Sequence, residues 1–157
     1  MEPRIDYMKV SPDSFQAVWG LEQFVSQKAG IEPRLLHLVK IRASQINGCA
    51  FCINMHVKEA RKAGMGDQWL SLIPAWKESP VYSEKERAVL AWTASLTNIS
   101  KTGAPDNDFS ALGTHFDEEE IAILTVAIGT INIWNRMALG SAPSMKSIQR
   151  TDERQTQ

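Results

Sequence analysis

The sequence predicts an all-α fold: one compact domain of about six to seven helices. Three observations carry this expectation. Ala, Leu, Glu and Lys, all good helix formers, dominate the periodic segments. Apolar residues in those segments recur at the spacing of one helical face. Alternating β-branched runs bounded by hairpin dipeptides are missing.

Each helix has its own signals. Ser11 to Ser14 reads as a start, because a Ser oxygen can accept from free first-turn amides and Pro12 suits the first helical position; Phe15, Val18, Trp19, Phe24 and Val25 then follow at helical spacing up to Gly30. Pro33 opens a second helix with a broad apolar face of Leu35, Leu36, Leu38, Val39, Ile41 and Ile46, and Asn47-Gly48 stops it. A short helix runs from about Cys49 to Lys62 and ends at Gly64. Asp67 is expected to cap another through Trp69, Leu70, Leu72 and Ile73 before Pro74. Ser83 and Glu86 have capping-box spacing and introduce a helix to about Asn98. Gly103 to Asp108 reads as a loop, and a brief helix spans Asp108 to His115. Asp117 then caps a long helix whose first-turn acids, Glu118 to Glu120, complement its dipole, and Gly140 ends it. With no repeat or internal linker, residues 1–145 form one domain, and 146–157 are a polar tail expected to fray.

Composition excludes several function classes. Lys and Arg number 17 against 18 Asp and Glu, a net charge of −1 in 157 residues, so no field draws a nucleic acid or an anionic membrane. The apolar run from Ile121 to Trp134 is shorter than the ~20 residues that span a bilayer. The start, MEPRIDYMKV, lacks the basic end and apolar run of a secretory signal, so a cytoplasmic location is expected.

Chemistry concentrates in INGCAFCINMH, residues 46–56, which holds both cysteines and one of the three histidines. In a reducing compartment a close cysteine pair points to redox chemistry or metal binding rather than a structural disulfide. Cys49 and Cys52 share a helical face with α-carbons about 5 Å apart, within disulfide range. Cys49 stands at the helix start, where free amides and the dipole favour thiolate. His56 lies one turn beyond Cys52 and can serve as base or proton shuttle. Two thiols and an imidazole fit one reaction: a thiolate attacks a peroxide O–O bond to form a sulfenic acid, and the second thiol condenses with it. Two rival readings are burial of both cysteines as packing, and a zinc site in which His37 or His115 adds a fourth ligand. The absence of a second close pair weighs against zinc. His115, next to Phe116, reads as a solvent-facing turn residue. Glu59 reads as part of a solvated face, while Trp134, Asn135 and Arg136 read more readily as core or interface anchors than as pocket lining.

SQINGCAFCINMH, preceded by LLHLVKIRA and followed by VKEARKAG, resembles the core of the AhpD-like alkylhydroperoxidases of the carboxymuconolactone decarboxylase-like superfamily. A weaker likeness extends through SEKERAVLAWTASLT to NIWNR. The resemblance implies a helical domain that self-associates as a dimer, trimer or hexamer and reduces organic hydroperoxides with no metal or other cofactor. It implies an external dithiol reductant, lipoyl-type or thioredoxin-like. By the same analogy Cys52 attacks the peroxide, Cys49 resolves the sulfenic acid, and His56 moves protons. The helix-start argument alone favours Cys49 as nucleophile. The family pattern places a glutamate twelve residues before the first cysteine, and His37 stands there instead, a residue able to carry a proton but not a fixed negative charge. Two other functions stay open: a non-catalytic dithiol module that switches a partner interaction, and the decarboxylase branch of the superfamily.

Overall fold

A computed structural model describes residues 4–141, so the expected polar tail lies outside the described residues. Among these the structure has nine α-helices and no strand. They are α1 (Tyr7–Val10), α2 (Pro12–Gln23), α3 (Pro33–Ile46), α4 (Ala50–Lys62), α5 (Asp67–Ser71), α6 (Glu84–Thr97), α7 (Ile99–Thr102), α8 (Asp106–Gly113) and α9 (Glu118–Ser141). A π-helical turn, Phe24–Lys28, extends α2, and a 3₁₀ turn, Ile73–Ala75, follows α5. The helices beyond the expected six or seven are single turns such as α1 and α7, too short to leave a periodic trace.

The core is built where α3 meets α4, α6 and α9. Leu38, Val39 and Ile41 of α3 meet Val89 and Leu90 of α6 and Leu124, Ile128 and Ile131 of α9, all buried. Burying each such side chain contributes about 1.5–3 kcal/mol, against about 1 kcal/mol for a good cap. Packing therefore decides which helical faces turn inward, and caps decide where helices begin.

Several expectations need correction. The apolar positions of α2 do not build the core: none of its residues is buried, Phe15 and Val18 are half-buried, and Trp19 and Phe24 are exposed, leaving only Val25 in the interior. Asp67 does not cap α5. Gly66 holds that place, while the Asp67 carboxylate accepts from Arg61 Nε at 2.8 Å. The loop after α7 closes sooner than expected and α8 begins at Asp106, leaving the Asp108 carboxylate to accept from Ser95 Oγ. Asp117 caps α9 reciprocally: its Oδ1 accepts the Glu120 amide at 2.9 Å, and Glu120 Oε2 accepts the Asp117 amide at 2.9 Å. The 24 residues of α9 are long and apolar enough to cross a bilayer, more than the run from Ile121 to Trp134 indicates. Its inner face, including the fully buried Asn135, packs on α3, α4 and α6, the placement of a core helix.

The Ser83 capping box forms as expected, with Ser83 Oγ accepting the Glu86 amide and Glu86 Oε2 accepting the Ser83 amide. Glu86 also accepts from Arg34 Nε at 2.6 Å and Trp69 Nε1 at 3.1 Å, tying α3 and α5 to the start of α6. Burial alone would raise its carboxyl pKa, but the Ser83 amide, Arg34 and Trp69 outweigh it and hold the carboxyl below the usual range. A carboxyl lowered in the fold stabilises above its unfolded pKa of about 4.3, and the gain is lost as pH falls through the folded value. Denaturant titrations from pH 7 to pH 3 should show Glu86→Gln less stable at neutral pH, by about 1–3 kcal/mol, with a flatter loss of stability in acid than wild type.

Candidate active site

The site begins with the way α3 stops. Gly48 takes a left-handed conformation, φ +70°, that costs a side-chain-bearing residue about 1–2 kcal/mol. Its amide donates to the Gln45 carbonyl at 3.2 Å, and the Cys49 amide donates to the Ser44 carbonyl at 3.0 Å. These two bonds close a Schellman turn and satisfy the free end of α3. The turn delivers Cys49 as the N-cap of α4, one position before the first-turn place that its spacing suggests. Cys49 Sγ accepts the Cys52 amide at 3.4 Å, a bond usually made by a Ser or Asp oxygen.

Both thiols are free and buried, with Cys49 1% and Cys52 2% exposed. Burial and a hydrogen bond with Cys49 push the Cys52 thiol up to about 12, and the Asn135 amide offsets only part of this. At neutral pH Cys52 is thus a thiol that needs a base to ionise. His56, one turn on and itself buried, has Nδ1 at 2.8 Å from Glu59 Oε2. That contact leaves Nε2 as the ring nitrogen free to exchange a proton. The hydrogen bond with His56 is the largest influence on Glu59 and, despite partial burial, holds its carboxyl low. Glu59 therefore remains charged at neutral pH. It is half-exposed, as its sequence implies, and yet it orients the histidine.

A cavity of ≈ 440 Å³ opens onto this group, within the usual range for small-molecule sites. Cys52 and His56 line it and Cys49 does not. Phe51 and Met55 of α4, Phe15 and Trp19 of α2, and Trp134 and Met137 of α9 form apolar walls. Phe15 stacks on Trp19 with ring centroids 6.5 Å apart and meets Trp134 edge-on at 5.5 Å. The helical spacing of α2's aromatics therefore lines a ligand space instead of filling the core. Trp134 lines the same space and Asn135 reaches Cys52, so two residues read as core anchors belong to the site.

Lys40 and Glu22 also line the cavity and form a nearly buried ion pair. Glu22 accepts further from Ser26 Oγ at 2.6 Å and Trp134 Nε1 at 3.2 Å. Burial would raise the Glu22 carboxyl, but Lys40, Ser26 and the nearby His56 outweigh it and lower it. Neither residue stands out in the sequence, because their pairing joins helices 18 positions apart.

His37 sits half-buried on α3 behind this group and does not line the cavity. Burial lowers its pKa, Glu59 opposes that, and Lys40 and His56 add to it; its Nδ1 is buried without a hydrogen-bond partner. It is near enough to Glu59 and His56 to feel their charge, and no hydrogen bond links it to either. His115 is exposed after α8, as expected. Among the described residues, no three His, Cys, Asp or Glu side chains are grouped to hold a metal ion.

A polar cluster fixes the site to α9. Asn47 Nδ2 donates to Asn132 Oδ1 at 3.0 Å and to Asn135 Oδ1 at 2.9 Å, while Asn135 Nδ2 donates to Ser44 Oγ at 3.0 Å.

Comparison with known proteins agrees with this architecture. The model of the carboxymuconolactone decarboxylase family matches residues 12–95, from α2 through most of α6. The uncharacterised protein YdfG of Bacillus subtilis is 36% identical over 139 residues, covering 88% of this chain and 94% of its own. A crystal structure of Atu0492 from Agrobacterium tumefaciens, a protein of unknown function provisionally described as the antioxidant-defence protein AhpD, is 55% identical with a TM-score of 0.86. The match covers 90% of this chain and 96% of that one. The debrominase Bmp8 shares the fold at 21% identity, with a TM-score of 0.78 over 87% of this chain and 73% of its own. Together these matches place the chain in the carboxymuconolactone decarboxylase family, among its AhpD-like members.

Proposed function

We propose that the protein is a thiol peroxidase that reduces organic hydroperoxides through a Cys52 sulfenic acid and a Cys49–Cys52 disulfide. The observation that carries this reading is the reach of the cavity, which meets Cys52 and His56 and not Cys49. A ligand entering it meets one thiol first, and the helix-start argument for Cys49 loses to this access. The similarity to AhpD-like antioxidant proteins supports the same chemistry.

His56 removes the Cys52 proton, and Glu59 steadies the imidazolium that results. The Cys52 sulfur attacks the terminal peroxide oxygen, the O–O bond breaks, and the alcohol leaves once its oxygen gains a proton. Cys49, whose sulfur already contacts the Cys52 amide, then attacks the sulfenic sulfur and releases water. The disulfide returns to the dithiol at the expense of an external dithiol of lipoyl or thioredoxin type. His37 adjusts the charge balance behind Glu59 rather than touching the ligand. The setting is cytoplasmic, and the working form is a homo-oligomer.

One observation favours a second reading. The Phe and Trp walls beside Cys52 suit a flat aromatic ligand, and the similarly folded Bmp8 is a debrominase, crystallised with 2,3,4-tribromopyrrole. A dithiol that removes bromine from an aromatic ring also ends as a disulfide, with bromide released. Bromide release from 2,3,4-tribromopyrrole, without hydroperoxide consumption, would favour that reading over ours.

Three outcomes are expected. Reduced protein mixed with cumene hydroperoxide should lose two thiols per chain; Cys52→Ser should lose none, and Cys49→Ser should accumulate a sulfenic acid trappable by dimedone at Cys52. Loss of the first step in Cys49→Ser alone would reverse the roles. Because the Cys52 pKa is raised to about 12, alkylation of Cys52 by iodoacetamide, followed by mass spectrometry, should keep rising with pH beyond the ordinary thiol midpoint of about 8.5; a plateau there would contradict the assignment. Glu59→Gln should slow thiol oxidation at neutral pH about tenfold, while the thermal unfolding midpoint changes little.

A further inference from the structure

We infer that Lys40 is a catalytic residue of this site, the group that receives the departing oxygen of the hydroperoxide. The inference rests on the peroxidase reading and assigns a role that reading leaves empty. Attack by the Cys52 sulfur puts an electron pair on the alkoxide oxygen, a strong base in an apolar cavity, and some acid must meet it.

Lys40 is placed for this. Its side chain is 10% exposed, and Lys40 lines the same cavity as Cys52 and His56. It carries three hydrogens and has two protein acceptors, Glu22 Oε1 and Ser26 Oγ at 3.3 Å. One N–H is left without a protein acceptor among the described residues. Glu22 in turn accepts from Lys40, Ser26 and Trp134, three of about four acceptor sites on a carboxylate, and so holds the ammonium in place. Removing two charges from water costs several kcal/mol per ion, and an apolar pair of the same size often serves stability as well. A pair kept at such a cost in the wall of a reactive cavity is better explained by chemistry than by packing.

The step balances without a further reagent. The Cys52 thiolate takes the terminal OH of ROOH and becomes Cys52–SOH. The O–O bonding pair leaves on the other oxygen, and a Lys40 proton converts that oxygen to ROH. The Lys40 amine is made whole by the proton that His56 earlier took from Cys52. Thiol plus hydroperoxide thus give sulfenic acid plus alcohol, with Glu22 positioning the lysine throughout.

The test varies the leaving group. Cumene hydroperoxide expels a strongly basic alkoxide, whereas perbenzoic acid, a ring of similar size, expels a weakly basic carboxylate that needs no acid. Single-turnover thiol loss is measured with both oxidants on wild type, Glu22→Gln, Lys40→Arg and the double variant Glu22→Gln with Lys40→Met, which leaves no unpaired buried charge. In the double variant the rate with cumene hydroperoxide should fall about 100-fold relative to that with perbenzoic acid. Glu22→Gln, which keeps the lysine, should hold most of the wild-type ratio, whereas Lys40→Arg, which keeps a cation that does not give up a proton, should fall toward the double variant. Any change in Cys52 ionisation or in folding slows both oxidants together and cancels in the ratio. A ratio that is unchanged in the double variant overturns the role of Lys40 while leaving the peroxidase reading intact. Wild-type thiols that survive both oxidants overturn the peroxidase reading, and this role with it.

Discussion

The site depends on a single turn, the reversal at Asn47 and Gly48 between α3 and α4. The left-handed Gly48 lets two backbone bonds finish α3 and, in the same four residues, sets Cys49 as the cap of α4. Cys52 and His56 follow on one face of α4 because helical geometry puts them there. Asn47 then bonds to α9 through Asn132 and Asn135, and Asn135 returns to Ser44 and Cys52. A buried polar network of this kind is rigid only when its members are satisfied, and here each amide has its partner.

This arrangement sets a balance between protection and reactivity. Burial favours the thiol form of Cys52, and the cavity is lined by Cys52 and not by Cys49. In the proposed reaction ionisation is the task of His56, whose Nδ1 meets the Glu59 carboxylate. Two charged systems flank the thiol, Glu59 with His56 on α4 and Glu22 with Lys40 across α2 and α3. In the proposed reaction the first pair accepts a proton and the second gives one, and both line the cavity together with its aromatic residues.

Much of this was legible in the sequence, for a physical reason. The Ser83 box, the Asp117 cap, the Gly48 stop and the Cys, Cys, His face depend on spacings of three or four residues, which a local pattern records. Glu22, Lys40 and Trp134 were not legible, since their meeting depends on how α2, α3 and α9 cross. The aromatics of α2 misled for a related reason: periodicity says which residues share a face and not whether that face meets protein or a cavity. Glu59 was visible at i+3 from His56, but only the burial of the histidine gives that contact weight. Asn135 left a trace, as a polar residue in an apolar stretch of a core helix, where a partner has to exist.

The central claim is that the two sulfurs can join within the native fold when a hydroperoxide reaches Cys52. Peptide mapping by mass spectrometry of native reduced protein after one equivalent of cumene hydroperoxide tests it most directly. The account expects an intramolecular 49–52 disulfide in nearly every chain, with the far-ultraviolet circular dichroism unchanged. Cysteines that stay reduced, or that link separate chains while this pair remains open, would contradict it.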